Sequence, residues 1–363
     1  MKDLLPLNSW RSPFKTPLYI AGPCSAESLE QVLEAAKQIS LIPKVQLFRA
    51  GIWKPRTRPG HFEGVGEEGL KWLKEAKDSF GLRVATEVAL PSHVELCLKY
   101  GVDVLWIGAR TTASPFAIDE IAEALKGINI PVFVKNPIND ELSLWIGALE
   151  RLYSKGLRQL GAIHRGFHLP DQTHYRNSPL WRIPLELKRQ FPHLPLICDP
   201  SHICGKRSPL TKISMMSMDL GMDGLMIETH PTPDHALSDA SQQITPKELE
   251  VLLSTVEEKK SSDTSSPFQT SLEQLRLKVD RMDEEILEAL KLRTDFVLKI
   301  GKLKQEHKVT PFQVGRMDQL LKARKELALE LGLSPTFVHE LFSLIHEESV
   351  RLQSKFNIVE DET

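Results

Sequence analysis

The sequence predicts a (β/α)8 TIM barrel (α/β class) followed by an all-α helical domain. Three observations predict it: eight short apolar runs between Leu18 and His230, amphipathic stretches between them, and only helix-type periodicity after Ser271. The runs are LYIAGPCS, VQLFRAG, RVATEV, VLWIGAR, PVFVKNP, LGAIHRGF, PLICDPSH and GLMIETH. Near-continuous apolarity marks strands buried on both faces, and parallel strands need crossovers such as SLEQVLEAAKQI and SHVELCLKYG. Eight such units suit a closed barrel. An open doubly wound sheet is the alternative, but no Gly-rich dinucleotide turn follows the first run.

At 363 residues the chain exceeds one small domain. Residues 257–270 (EEKKSSDTSSPFQT) are Ser/Thr-rich and non-periodic, which reads as a linker. The expected division is a barrel at 1–258, a linker at 259–270 and a helical domain at 271–363. The segment ahead of Leu18 is expected to hold no further domain. Lys plus Arg is 46 against 48 Asp plus Glu, a net charge of −2, with 31 against 31 before residue 271 and 15 against 17 after it. Neither part is a polycation, which argues against nucleic acid or a membrane surface as partner. The N-terminus lacks a signal-peptide core, and four cysteines make no disulfide framework, so a cytoplasmic location is expected.

The apolar runs finish in polar groups: Cys24, Arg49, Glu87, Arg110, Lys135, His164–Arg165, His202 and Glu228. In a barrel those ends converge on the face where active sites are built. Cys24, His202, Glu228 and Asp239 are metal-type side chains, and mixed S/N/O ligation suits a borderline divalent ion: Mn2+ first, with Fe2+, Co2+ and Zn2+ as alternatives. Taken singly, a buried cysteine is a small hydrophobe and an aspartate a helix cap; only the barrel brings the four together. The same face gathers Arg49, Lys54, Arg56, Arg110, Lys135, Arg165 and Arg207. Cations at the ends of apolar strands need anions to answer them, which implies substrates carrying several negative charges.

AGPCSAES, FRAGIWKPRT, WIGAR, HRGF, DPSH, IETHP and SDASQ, spread over residues 17–255, resemble the type I beta 3-deoxy-D-arabino-heptulosonate 7-phosphate (DAHP) synthases. The resemblance implies Cys24, His202, Glu228 and Asp239 as metal ligands. It implies Arg49, Lys54, Arg110, Lys135 and Arg165 as the phosphoenolpyruvate site, and Arg56, Thr57, Ser201 and Arg207 as the erythrose 4-phosphate site. Lys54 is the candidate for proton handling, because a lysine among cations has a depressed pKa. KPRT at 54–57 favours this family over the related 3-deoxy-octulosonate 8-phosphate synthases, the less favoured alternative. Trp106 stands where many relatives have Gln, and His164 where several have Glu.

In the second domain a seam of three- and four-residue steps runs Leu272, Arg276, Val279, Asp283, Ile286, Leu290, Arg293, Val297, Ile300, Lys304. Three cations occupy a stripe that should be apolar. Arg293 and Lys304 are ~16 Å apart along a helix, within reach of one small ligand, whereas Arg276 lies ~26 Å before Arg293 and must serve a pocket on another chain. A helix of ~36 residues is ~54 Å long, too long for the remaining chain to cover, and an antiparallel homodimer is the simplest solution. Residues 271–356 resemble the all-helical chorismate mutases, through Arg276, Arg293, Lys304, Arg316, Ser349 and Gln353. The resemblance implies that these bind chorismate and its product prephenate, with Lys304 and Gln353 as the catalytic pair at the ether oxygen. Gln313 and Met317 replace a frequent Asp and Glu. The expectation is a bifunctional enzyme of aromatic amino-acid biosynthesis inhibited by prephenate. The alternative is a helical domain that mainly senses prephenate or chorismate.

Overall fold

A computed structural model describes residues 1–53, 62–169, 175–256 and 266–354. The chain forms two compact units, Met1–Ser261 and Ser262–Thr363.

In the first unit strands and helices alternate as expected. They are β1 (Leu18–Gly22), α1 (Leu29–Ser40), β2 (Val45–Arg49), α2 (Glu67–Phe80), β3 (Val84–Val88), α3 (Pro91–Lys99) and β4 (Val104–Ile107). Then come α4 (Ala109–Thr112), α5 (Pro115–Ala124), β5 (Val132–Lys135), α6 (Leu142–Ser154), β6 (Leu160–His164) and α7 (Arg182–Gln190). The unit ends with β7 (Leu196–Cys198), α8 (Pro200–Cys204), α9 (Leu210–Asp219), β8 (Gly224–Glu228) and α10 (Pro246–Thr255). The strands form a closed barrel in sequence order, β8 pairing parallel with β1 from Gly224 opposite Leu18 to Glu228 opposite Gly22.

Local chemistry fixes the element ends. The Ser28 hydroxyl caps α1 by accepting the Gln31 N–H. Thr245 and Glu248 form a reciprocal capping box at the start of α10. Gly81 ends α2 in the left-handed conformation. Between the strands and the surrounding helices, buried side chains such as Val32, Leu70, Val94, Ile118, Trp145 and Leu249 make a continuous apolar layer.

The barrel interior is filled by Leu18, Ile20, Leu47, Val104, Phe133 and Met226 with Trp106. Leu7, Trp10 and Phe14 of the N-terminal segment join that cluster, the Trp10 ring 5.2 Å from Phe133. This segment bonds to residues at or just ahead of the starts of strands: the Gln46 and Gln159 side chains accept from the Lys15 and Arg11 amides, and Arg83 donates to the Pro13 carbonyl. It therefore closes the amino-terminal mouth and leaves the carboxyl ends of the strands for a site.

The second unit contains α11 (Ser266–Glu306), α12 (Val314–Glu330) and α13 (Pro335–Ser354). Helix α11 begins five residues before Ser271, so part of the expected linker is helical. Among the described residues of this unit, Val297, Ala328 and Val338 are the buried apolar ones. The seam side chains Val279 and Ile286 are 59% and 57% exposed. Three helices of one chain leave most of the expected apolar stripe uncovered. No described helix is long and apolar enough to cross a membrane.

Candidate active sites

At the carboxyl end of the barrel, Cys24 Sγ, a Glu228 carboxylate oxygen and an Asp239 carboxylate oxygen lie within 4.8 Å of one another. Cys24 Sγ is 3.4 Å from Asp239 Oδ2. His202 Nε2 joins them at 3.7 Å from Glu228 Oε1 and 4.0 Å from Asp239 Oδ2. One thiol, one imidazole and two carboxylates, gathered at or after the first strand and the last two strands of the barrel, form a donor set that fits a borderline divalent ion.

The supports of these donors are built into the fold. Gly22 (φ +147°) lies so close to β2 that a Cβ there would sit 2.0 Å from the Arg49 carbonyl oxygen; this approach brings the Cys24 loop against Arg49. Asp199, following β7, caps the short helix α8 by accepting the His202 N–H through Oδ1. Its Oδ2 stands 2.8 Å from His202 Nδ1 and accepts from Lys135 Nζ at 2.7 Å. Burial alone would raise the Asp199 carboxyl, but His202 and Lys135 outweigh it and hold the group well below the usual carboxylate range. Burial lowers His202, while Asp199 and Glu228 oppose that shift. The imidazole is thus oriented with Nε2 toward the other donors, as ligating histidines are.

Of the expected phosphoenolpyruvate cations, Arg49, Lys135 and Arg165 lie beside this cluster. Arg49, 1% exposed, donates to Glu228 Oε1 at 3.2 Å and to the Cys24 carbonyl at 2.9 Å. Its guanidinium lies 4.8 Å from the Trp106 ring centroid, and Lys135 Nζ lies 5.9 Å from it. Trp106 in turn donates to Glu87 Oε2 at 2.9 Å. Arg165 donates to Asn177 Oδ1 at 2.9 Å, and burial brings it down to about 10 despite Asp199, helped by Arg176 and Arg110. Arg110 is exposed at the start of α4. Sequence reading treats these cations as awaiting anions; here Arg49 and Lys135 already have carboxylate partners, which lowers the cost of their burial.

Of the expected erythrose 4-phosphate residues, Ser201 is buried and accepts the Glu228 amide at 3.0 Å. Arg207 donates to the Gln243 and Ala240 carbonyls and to Asp234, clamping the loop that carries Asp239. Lys54, Arg56 and Thr57 lie outside the described residues. Sequence reasoning missed Asp199, which supports His202 and Lys135, and Arg176, which donates to Asp239 Oδ1 at 3.0 Å and to Gln242 Oε1 at 2.8 Å. Only the polar residues of DPSH and SDASQ hinted at them. His164, fully buried among Trp145, Phe167 and Trp181, is driven by burial to about 3.

In the helical unit, Arg293, Lys304, Arg316, Ser349 and Gln353 line one cavity of about 250 Å³, together with Gln313 and His346. Arg293 donates to Ser349 Oγ at 2.6 Å, and Lys304 to the Pro311 carbonyl at 2.7 Å. Burial lowers both cations, with Arg324 adding to the effect at Arg293. Arg276 is exposed on α11 and does not line this cavity; Met317 does not line it either.

Comparison with known proteins agrees with both halves. The DAHP synthetase I family matches residues 15–264 and chorismate mutase type II matches residues 275–354. A phospho-2-dehydro-3-deoxyheptonate aldolase of Thermotoga maritima is 32% identical over 225 residues. That match covers 62% of this chain and 64% of the relative, so the chain spans under two thirds of its length. A 2-dehydro-3-deoxyphosphooctonate aldolase of Helicobacter acinonychis is 28% identical over 67% of this chain and 95% of its own. The crystal structure of the Thermotoga maritima DAHP synthase superposes with a TM-score of 0.59 at 29% identity, covering 66% of this chain and 67% of that one. The chain belongs to the DAHP synthetase I family, and its barrel is followed by a chorismate mutase type II domain.

Proposed function

We propose that the barrel condenses phosphoenolpyruvate with erythrose 4-phosphate to DAHP and phosphate, and that the helical domain rearranges chorismate to prephenate. The observation that carries the first reading is the Cys24–His202–Glu228–Asp239 cluster placed directly beside Arg49 and Lys135. Arg49, Lys135, Arg165 and Arg110 hold the phosphate and carboxylate of phosphoenolpyruvate together with Lys54, which also handles a proton. Arg56, Thr57, Ser201 and Arg207 serve the second substrate. Cys24, His202, Glu228 and Asp239 would hold a divalent ion, Mn2+ foremost, which would supply Lewis-acid polarisation of an aldehyde oxygen. C3 of phosphoenolpyruvate bonds to the aldehyde carbon, water adds at C2, and phosphate leaves. The cations offset the repulsion of two anions held side by side, so the protein's contribution is chiefly positioning and preorganised charge.

The mutase reading rests on five of the six expected residues lining one cavity. Arg293, Arg316 and Ser349 take the carboxylates, Lys304 and Gln353 face the ether oxygen, and Arg276 comes from a second copy of the chain. The exposed apolar face of α11 supports that homodimer. A pericyclic rearrangement needs no nucleophile, only complementarity to the folded dianion. Prephenate, the product, is expected to inhibit the synthase.

The octulosonate reading is kept alive by the Helicobacter acinonychis relative. Phosphate release from phosphoenolpyruvate, measured with erythrose 4-phosphate and with arabinose 5-phosphate, separates the two. Turnover with erythrose 4-phosphate is expected; turnover with arabinose 5-phosphate alone would overturn the assignment. Loss of chorismate absorbance in the same preparation checks the second activity, and binding without conversion would make the helical domain a sensor.

A further inference from the structure

The helical cavity contains a titratable group that the mutase roles leave unused. His346 lies on α13, three residues before Ser349 and seven before Gln353, and so shares their face. It lines the same cavity, with Phe312 at 6.2 Å between ring centroids. Its Nε2 is buried and takes no hydrogen bond among the described residues. A buried nitrogen left unpaired is costly, and a ligand oxygen entering the cavity can answer it.

The charges around it are all of one sign. Arg293 and Lys304 face the cavity from α11 and Arg316 from α12; among the described residues α13 contributes no titratable side chain other than His346, and no carboxylate lines the cavity. Burial first, and then those three cations, disfavour the imidazolium in the empty cavity. A dicarboxylate weakens that field: its two negative charges offset two of the three cations, and a carboxylate oxygen against the ring favours the imidazolium relative to the empty cavity.

Building on the mutase assignment, we propose that His346 touches the bound dicarboxylate and takes up a proton from solvent as the ligand enters. Binding in this cavity then strengthens as pH falls through the interval between the free and the liganded ionisation of His346. The group is a pH-dependent specificity element of the mutase site.

The test is calorimetric titration of the full-length protein with prephenate between about pH 6 and pH 8, in two buffers of different ionisation heat. The wild type is expected to take up a fraction of a proton and to bind about tenfold more tightly at the acid end. H346Q keeps a hydrogen-bonding side chain but is expected to lose both the proton uptake and the pH dependence. H346L is expected to bind more weakly at every pH, with far-UV circular dichroism confirming that its helices remain. Equal proton uptake and equal pH profiles in wild type and H346Q would overturn this inference alone, even with chorismate conversion intact. No binding of prephenate by the wild type at any pH would overturn the mutase assignment and this inference together.

Discussion

Asp199 shows how single residues make the barrel site. One carboxylate caps α8, orients His202 and answers Lys135, so a proposed metal donor and a proposed substrate cation share a buried support. Cys24 has no comparable substitute, since no other described cysteine joins the donor cluster. Cys24→Ala is expected to abolish phosphate release while leaving the melting temperature within a few degrees of wild type; full activity of metal-free Cys24→Ala would contradict its role. His164 gives a pH effect whose sign is fixed. Its ionisation in the fold lies at about 3, below the ordinary histidine value, so the unfolded chain binds the extra proton first. Stability is therefore fully present above about pH 6.5 and lost as pH falls, by up to about 2 kcal/mol near pH 5. Thermal melts at pH 7 and pH 5 should show a smaller drop for His164→Leu than for wild type. Cys24, Arg49, Lys135, Arg165, His202 and Glu228 were legible in the sequence because they end or closely follow apolar runs, whereas Asp239 was legible only through the motif SDASQ. Asp199 also follows such a run, but its role, like that of Arg176, lies in contacts that only the fold brings about.

At the scale of elements, the strands were readable because a two-sided buried strand must be apolar throughout, as in Leu18–Gly22 and Leu160–His164. The start of α11 was not, because SPFQTS is polar and Ser/Thr-rich yet continues the helix back to Ser266. The approach of β1 to β2 at Gly22 is a backbone property that the motif AGPCS only hints at. Gly22→Ala combines an unfavourable φ with a Cβ 2.0 Å from the Arg49 carbonyl oxygen. It is expected to cost on the order of 3 kcal/mol. Denaturant unfolding of the purified variant checks this, and wild-type stability would show that the two strands can separate without loss.

For the whole molecule, the contrast lies between a barrel with a filled interior and a helical unit with few buried apolar side chains. The proposed homodimer would cover the exposed Val279, Ile286, Leu292 and Phe296 with a second copy of α11. Shared sites give a sharp expectation. Arg276→Ala and Arg293→Ala should each lose mutase activity, and refolding an equal mixture should restore roughly a quarter of it, because half the dimers are mixed and each mixed dimer keeps one intact site. No recovery would place Arg276 outside the neighbour's pocket. Cleavage engineered within residues 259–270 should relieve inhibition of the synthase by prephenate, if that inhibition passes through the chain connection; prephenate response before and after cleavage reads this directly.

The central claim is that one chain carries two anion-receiving sites, of which, among the described residues, only the barrel's gathers donors suited to a divalent ion. Chelator titration of a single preparation, following phosphate release and chorismate loss together, tests it most directly. Phosphate release should vanish and return with added Mn2+, while chorismate conversion stays constant throughout. Phosphate release that survives complete chelation, or mutase activity that falls in step with it, would contradict the account.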